Sequence, residues 1–174
     1  MSRNAKILID LLVLVAVYAV WLLPKWRRLG KRPLLVYTLM YGCLAGIVRF
    51  TLMPVLTALP YCFDHPYIPM HMAPFEDVIL RHGDYVRQIV LNVILFVPFG
   101  VLLPLCDRCR GRRPRFWRCL LLTLALSAGI EVVQPLLHVF RRADITDVIT
   151  NTIGGVLGYA LSALGNVCCK KRQG

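Results

Sequence analysis

Between residues 131 and 155 the chain reads EVVQPLLHVFRRADITDVITNTIGG. Three carboxylates (Glu131, Asp144, Asp147), two arginines (Arg141, Arg142) and two amides (Gln134, Asn151) interrupt strongly apolar sequence. Polar groups in hydrocarbon are costly unless partnered, so they face a bundle interior or a watery cavity. Their chemistry is versatile. An arginine fork grips a carboxylate or phosphate at two points. Asn and Gln each donate and accept. A carboxyl group in a low-dielectric pocket can serve as general acid or base. The same groups can also pair with one another and only hold helices together. For any one residue the two readings are level; the convergence of so many costly groups favours function for the cluster.

Helical periodicity sorts these residues into stripes. Ser127, Glu131, Gln134 and His138 share one face, and Asp144, Asp147 and Asn151 share another, continued by Gly154, Gly155 and Gly158. Gln88, Asn92 and Phe96 form a shorter stripe leading to Pro98 and Gly100. Arg49 and Asp10 add polar groups to two further apolar segments. The predicted sites follow. Arg49, Asn92, Gln134, Arg141, Arg142 and Asn151 are candidate ligand-binding residues. Glu131, Asp144 and Asp147 are candidate catalytic residues if the chain is an enzyme, with Glu131 the deepest and so the best acid/base.

The elements that must carry them look built for lipid. The chain has 174 residues, 57% of them hydrophobic, and a mean hydropathy of +0.62, more apolar surface than a soluble domain of this length needs. Apolar spans are predicted at about 7–23, 34–59, 86–105, 119–140 and 145–167, each near the ~20 residues that cross a bilayer as a helix. The expected fold is an all-α polytopic membrane bundle of about five transmembrane helices, one integral membrane domain over residues 1–174. Span one resembles a signal peptide in hydropathy only. Trp21-Leu22-Leu23-Pro24 is a poor cleavage site and Lys25 to Arg28 follow at once, so a retained helix is expected.

The net charge of +12 does not point to nucleic acid. Its basic residues gather between spans one and two (Lys25 to Arg32), between spans three and four (Arg108 to Arg118) and in the tail (Lys170, Lys171, Arg172). Those regions fall on one side of a five-span protein, which the positive-inside rule makes cytoplasmic. The C-terminus is then inside and the N-terminus outside. Counting 1.5 Å per residue, Glu131 lies about 13 Å below the outer end of its span, Asn92 and Asn151 about 9 Å and Arg49 about 15 Å. The cluster is thus expected to form a pocket open to the outside.

Other features carry less. Cys106-Asp-Arg-Cys109 lacks a second ligand pair, and His65, His71, His82 and His138 have no metal-ligand spacing. No metal or other cofactor is predicted. Cys168 and Cys169 flank the membrane as ordinary helix-end residues or lipid carriers. HExxH, GxSxG and phosphate-cradling loops are absent from the sequence, and Ser127 has no histidine in register. The external segment 60–85 holds Pro60, Pro66, Pro69 and Pro74 among aromatics. Its prolines disfavour regular helix, and it either covers the site or anchors the chain at the headgroups. Gly42/Gly46 and Gly154/Gly158 have the spacing that lets helix backbones approach within the chain.

Asn92-Val-Ile-Leu-Phe-Val-Pro-Phe-Gly100, Glu131-Val-Val-Gln134, Arg141 or Arg142, and Asp144-Ile-Thr-Asp147-Val-Ile-Thr-Asn151-Thr-Ile-Gly-Gly155 together resemble the VanZ-like family. The resemblance covers spans three to five, about half of the chain. Pro74-Phe75 resembles the family's external Pro-Phe element, with His71 where a polar residue often precedes it, and spacing to Asp144 favours Arg141 as the family's arginine. It implies a multi-pass protein of the bacterial cytoplasmic membrane, in a family whose namesake is associated with low-level teicoplanin resistance. The leading expectation is binding of an envelope lipid, a lipid-linked glycan or a lipoglycopeptide, with membrane lipids around it. The alternatives are an enzyme that modifies an envelope lipid or glycan through Glu131, and a small proton-coupled transporter.

Overall fold

The structure, a computed structural model, describes residues 2–64, 66–80, 83–137 and 141–171, with side chains left undescribed for Asp77 and residues 166–171. His65, His82, His138 and Arg172, and the side chains of Cys168, Cys169, Lys170 and Lys171, lie outside that description.

The fold is all-helical. Helix α1 (Arg3–Val17) is capped by Ser2, whose hydroxyl accepts from the Ala5 N–H at 3.3 Å. A π-helical turn (Tyr18–Leu22) joins it to α2 (Leu23–Arg27). The wider turn lets the helix continue through Pro24, whose ring would otherwise meet the carbonyl four residues back. Helix α3 (Lys31–Thr51) runs back beside α1, held by Tyr18 on Thr38 (2.9 Å), by the Tyr41 hydroxyl on the Leu14 carbonyl (2.7 Å), and by Trp26 against Tyr18, Tyr37 and Tyr41. After one turn of helix, α4 (Glu76–Ile79), come α5 (Tyr85–Cys109), α6 (Phe116–Leu137) and α7 (Ile145–Lys171). Among the described residues, five helices are long and apolar enough to cross a membrane: Arg3–Arg27, Lys31–Thr51, Tyr85–Cys109, Phe116–Leu137 and Ile145–Gly165.

The second span is shorter than predicted. It leaves the helix at Thr51, and residues 52–59 turn instead. Pro54 has no N–H and turns Met53 away from helical geometry. Asp10, 4% exposed, then captures the Val55 and Leu56 N–H groups at 2.5 and 3.1 Å. Asp10 therefore pins a loop and does not join the cluster. The shortening also moves Arg49 into the last turn of α3, about 3 Å from its end. Segment 60–85 contains α4 where no regular helix was expected, because the run after Pro74 is free of proline.

The core lies where α5, α6 and α7 meet α3, around Ile47, Phe96, Phe99, Leu103, Cys119 and Ile130. Glycine sets the spacing. A Cβ on Gly154 or Gly158 would strike the Val93 or Val97 carbonyl oxygen of α5, and one on Gly100 would strike that of Gly155. The packing role expected of Gly154/Gly158 is realised. That of Gly42/Gly46 is not, since a Cβ there meets nothing within 4 Å. At the opposite end of α5, buried Asp107 pairs with Arg118, and its backbone carbonyl takes the Arg112 N–H at 2.8 Å. This end carries the basic loops, and the other end carries the polar cluster.

Candidate functional site

The cluster is assembled at the start of α7. Asp144 caps that helix, its Oδ1 accepting the Thr146 N–H at 2.7 Å. One turn on, Asp147 is 9% exposed, and its Oδ1 accepts from Gln88 at 2.9 Å and from Asn92 at 2.7 Å. The predicted α5 stripe therefore faces the predicted α7 stripe. Asn92 also reaches Thr150 Oγ1 at 3.4 Å.

The α6 stripe closes the other side. Ser127, Glu131 and Gln134 are all buried, at 0%, 1% and 3% exposure. Glu131 Oε2 accepts the Asp144 N–H at 3.0 Å, tying the end of α6 to the cap of α7. Glu131 lies about 9 Å along the helix from Leu137, the last described residue of α6. Asn151 donates to Ser127 at 2.9 Å, and its buried Oδ1 has no partner among the described residues. Gln134 donates to the Thr51 carbonyl at 3.3 Å, linking α6 to the end of α3.

The arginines take other places. Arg141 is exposed with Nη1 3.5 Å from the Thr51 carbonyl, Arg142 is exposed, and the Arg49 guanidinium lies 5.8 Å from the centre of the Phe50 ring. Among the described residues no ion pair joins them to Glu131, Asp144 or Asp147. The carboxylates are held instead by amides and backbone N–H groups.

A strap of residues 71–76 lies against the site. The His71 N–H donates to the Ala143 carbonyl at 2.8 Å and its carbonyl accepts the Ile145 N–H at 3.0 Å, a parallel bridge onto the α7 cap. The Phe75 N–H donates to Thr146 Oγ1 at 3.0 Å. Phe75 itself is left-handed, with φ of 58°, a conformation bulky side chains avoid and surrounding structure must impose. The His71 ring stands between two acids, Nε2 at 2.5 Å from Glu76 and Nδ1 at 3.9 Å from Asp144.

Between this strap, α5 and α7 opens a cleft of about 260 Å³, including solvent at its mouth, lined by Phe75, Val78, Tyr85, Gln88, Ile89, Asp144, Thr146 and Asp147. Of the predicted residues, Asp144 and Asp147 face it, and Asn92 supports Asp147 from behind. Glu131, Gln134, Asn151 and the arginines do not line it. Sequence reasoning passed over His71, Glu76, Tyr85 and Thr146 as site residues. An irregular loop has no periodicity to expose them; the Pro74-Phe75 element was the available signal.

Comparison with known proteins bears on the whole arrangement. The VanZ/LLP1 family model matches residues 12–166. Protein VanZ of Enterococcus faecium is 36% identical over 104 residues, covering 60% of this chain and 58% of that protein. The match thus spans less than two thirds of that relative's length. No solved structure matches.

Proposed function

The chain belongs to the VanZ/LLP1 family, and from that premise we propose that it binds the polar head of an envelope lipid, a lipid-linked glycan or a lipoglycopeptide in a bacterial cytoplasmic membrane. In this reading the binding underlies low-level teicoplanin resistance. The observation that carries it is the cleft at the α7 cap, where buried, amide-braced Asp147 and half-buried Asp144 meet apolar and aromatic walls at the end of the spanning helices. Acyl chains fit the lipid-facing sides of the helices, and the head group fits the cleft. The basic loops at the other end favour an orientation with the cleft outside. Binding is preferred over Glu131-based catalysis because Glu131 is engaged with the Asp144 N–H and is turned away from the cleft.

The test pairs a direct and a cellular measurement. Labelled teicoplanin is titrated onto the purified chain in nanodiscs, and susceptibility is measured in a susceptible Gram-positive host at matched membrane levels. Tyr85→Leu and Asp144→Asn change the lining of the cleft and leave α5 and the α7 cap formed. Weaker binding together with lost resistance supports the proposal. Unchanged affinity in both variants overturns the cleft as the site.

A further inference from the structure

We infer that residues 52–63, which follow α3, lie along the membrane boundary at the polar-cluster end, with their exposed side chains in lipid. The segment reads LMPVLTALPYCF, and no charged residue stands between Arg49 and Asp64. Leu56, Leu59, Tyr61 and Phe63 are 41%, 49%, 63% and 87% exposed. So much exposed apolar surface beyond the end of a spanning helix calls for a partner.

Helix geometry gives the level of the segment. Thr51 is about 30 Å along α3 from Lys31, and the hydrocarbon core is about 30 Å thick. Lys31 is exposed beside Arg27, Arg28 and Arg32, and such charge stays at or outside the near face of the core. Thr51 therefore reaches at most the far face. Asp10 gives a second measure. It is about 25 Å along α1 and α2 from Arg27, and it holds the Val55 and Leu56 N–H groups at 2.5 and 3.1 Å. The chain thus stays near the level of Thr51 and does not run out into water.

The backbone suits that setting. In lipid an unpaired N–H is costly, so donors must be met within the protein. Leu52 and Met53 donate to the Val48 carbonyl at 2.9 and 3.1 Å, Ala58 and Leu59 to that of Val55 at 3.0 and 2.9 Å, and Tyr61 to that of Ala58 at 2.9 Å. Pro54 and Pro60 have no N–H to satisfy. Lipid is the occupant that this surface fits. It continues from Phe50, 71% exposed in the last turn of spanning α3, and the Tyr61 phenol has the chemistry of the head-group level. The Thr51 carbonyl, where the segment begins, accepts from Gln134 at 3.3 Å. The polar cluster thereby gains a lipid-facing border on its α3 side, whatever it binds.

The experiment places the photoreactive side chain p-benzoylphenylalanine at Tyr61, at Phe63 and, as a reference within a spanning helix, at Val15, which is 62% exposed. Each full chain is irradiated in nanodiscs of phosphatidylethanolamine and phosphatidylglycerol, and its adducts are identified by mass spectrometry. Circular dichroism checks that the helices persist. Phospholipid adducts at Tyr61 and Phe63 at least half as abundant as those at Val15 are the expected result. A smaller yield at either position puts the segment in water and overturns the inference. A predominance of chain-to-chain adducts also overturns it, with a second copy as the occupant.

Discussion

Gly158→Ala tests the packing that places the cluster. A Cβ at Gly158 would lie 2.8 Å from the Val101 nitrogen and 2.9 Å from the Gly100 Cα, and closer still to the Val97 carbonyl oxygen. Unstrained contacts fall at about 3.5–4.0 Å, so the Val97 oxygen, the nearest obstacle, requires α5 and α7 to part by roughly 1.5 Å. All three obstacles are backbone atoms, which cannot rotate aside. Overpacking costs about 1–3 kcal/mol, and alanine returns at most ~1 kcal/mol of helix propensity. A net destabilisation of about 2 kcal/mol is expected. The assay is reversible unfolding in mixed micelles with increasing denaturing detergent, followed by far-ultraviolet circular dichroism. Gly42→Ala is the matched control, since nothing lies within 4 Å of its added Cβ, and its stability is expected to be unchanged or slightly raised. If Gly158→Ala unfolds within about 0.5 kcal/mol of the wild type, the close approach of α5 and α7 described above is refuted.

Asp147→Leu leaves the Gln88 and Asn92 amides without their buried acceptor, an expected loss of about 2–5 kcal/mol, whereas Asp147→Asn keeps an acceptor oxygen and stays within about 1 kcal/mol in the same unfolding assay. Glu131→Gln still offers an oxygen to the Asp144 N–H and is expected to bind labelled teicoplanin as the wild type does, while Glu131→Leu orphans that N–H and loses about 1–3 kcal/mol. Asp10→Ala frees the Val55 and Leu56 N–H groups, and faster hydrogen exchange in residues 52–59 is the expected signature, with exchange elsewhere near that of the wild type.

Sequence alone determined the spanning helices and the stripes. Runs of apolar residues near bilayer length have one economical solution in lipid, a helix that satisfies its own backbone. The 3.6-residue period then placed Ser127, Glu131 and Gln134, or Asp147 and Asn151, on common faces, and the structure buries both sets. Most of the motifs that resemble the family lie in these same regular elements; Pro74-Phe75 and Arg141 lie in the connections. Tertiary structure decided which stripe meets which. Gln88 and Asn92 serve Asp147, Glu131 serves the α7 cap, and the arginines, expected to bind a ligand or else to pair with the acids, make no ion pair with those acids among the described residues. Pairwise partners depend on helix rotation and spacing, here fixed by Gly100, Gly154 and Gly158, and no single segment encodes them. Asp10 looked like a member of the cluster until the end of α3 came to rest beside it, because a lone carboxylate takes the nearest unpaired N–H groups that folding brings. The strap from His71 to Glu76 was the least legible part. Its conformation is imposed by hydrogen bonds to Ala143, Ile145 and Thr146, some seventy residues away, and not by any local period.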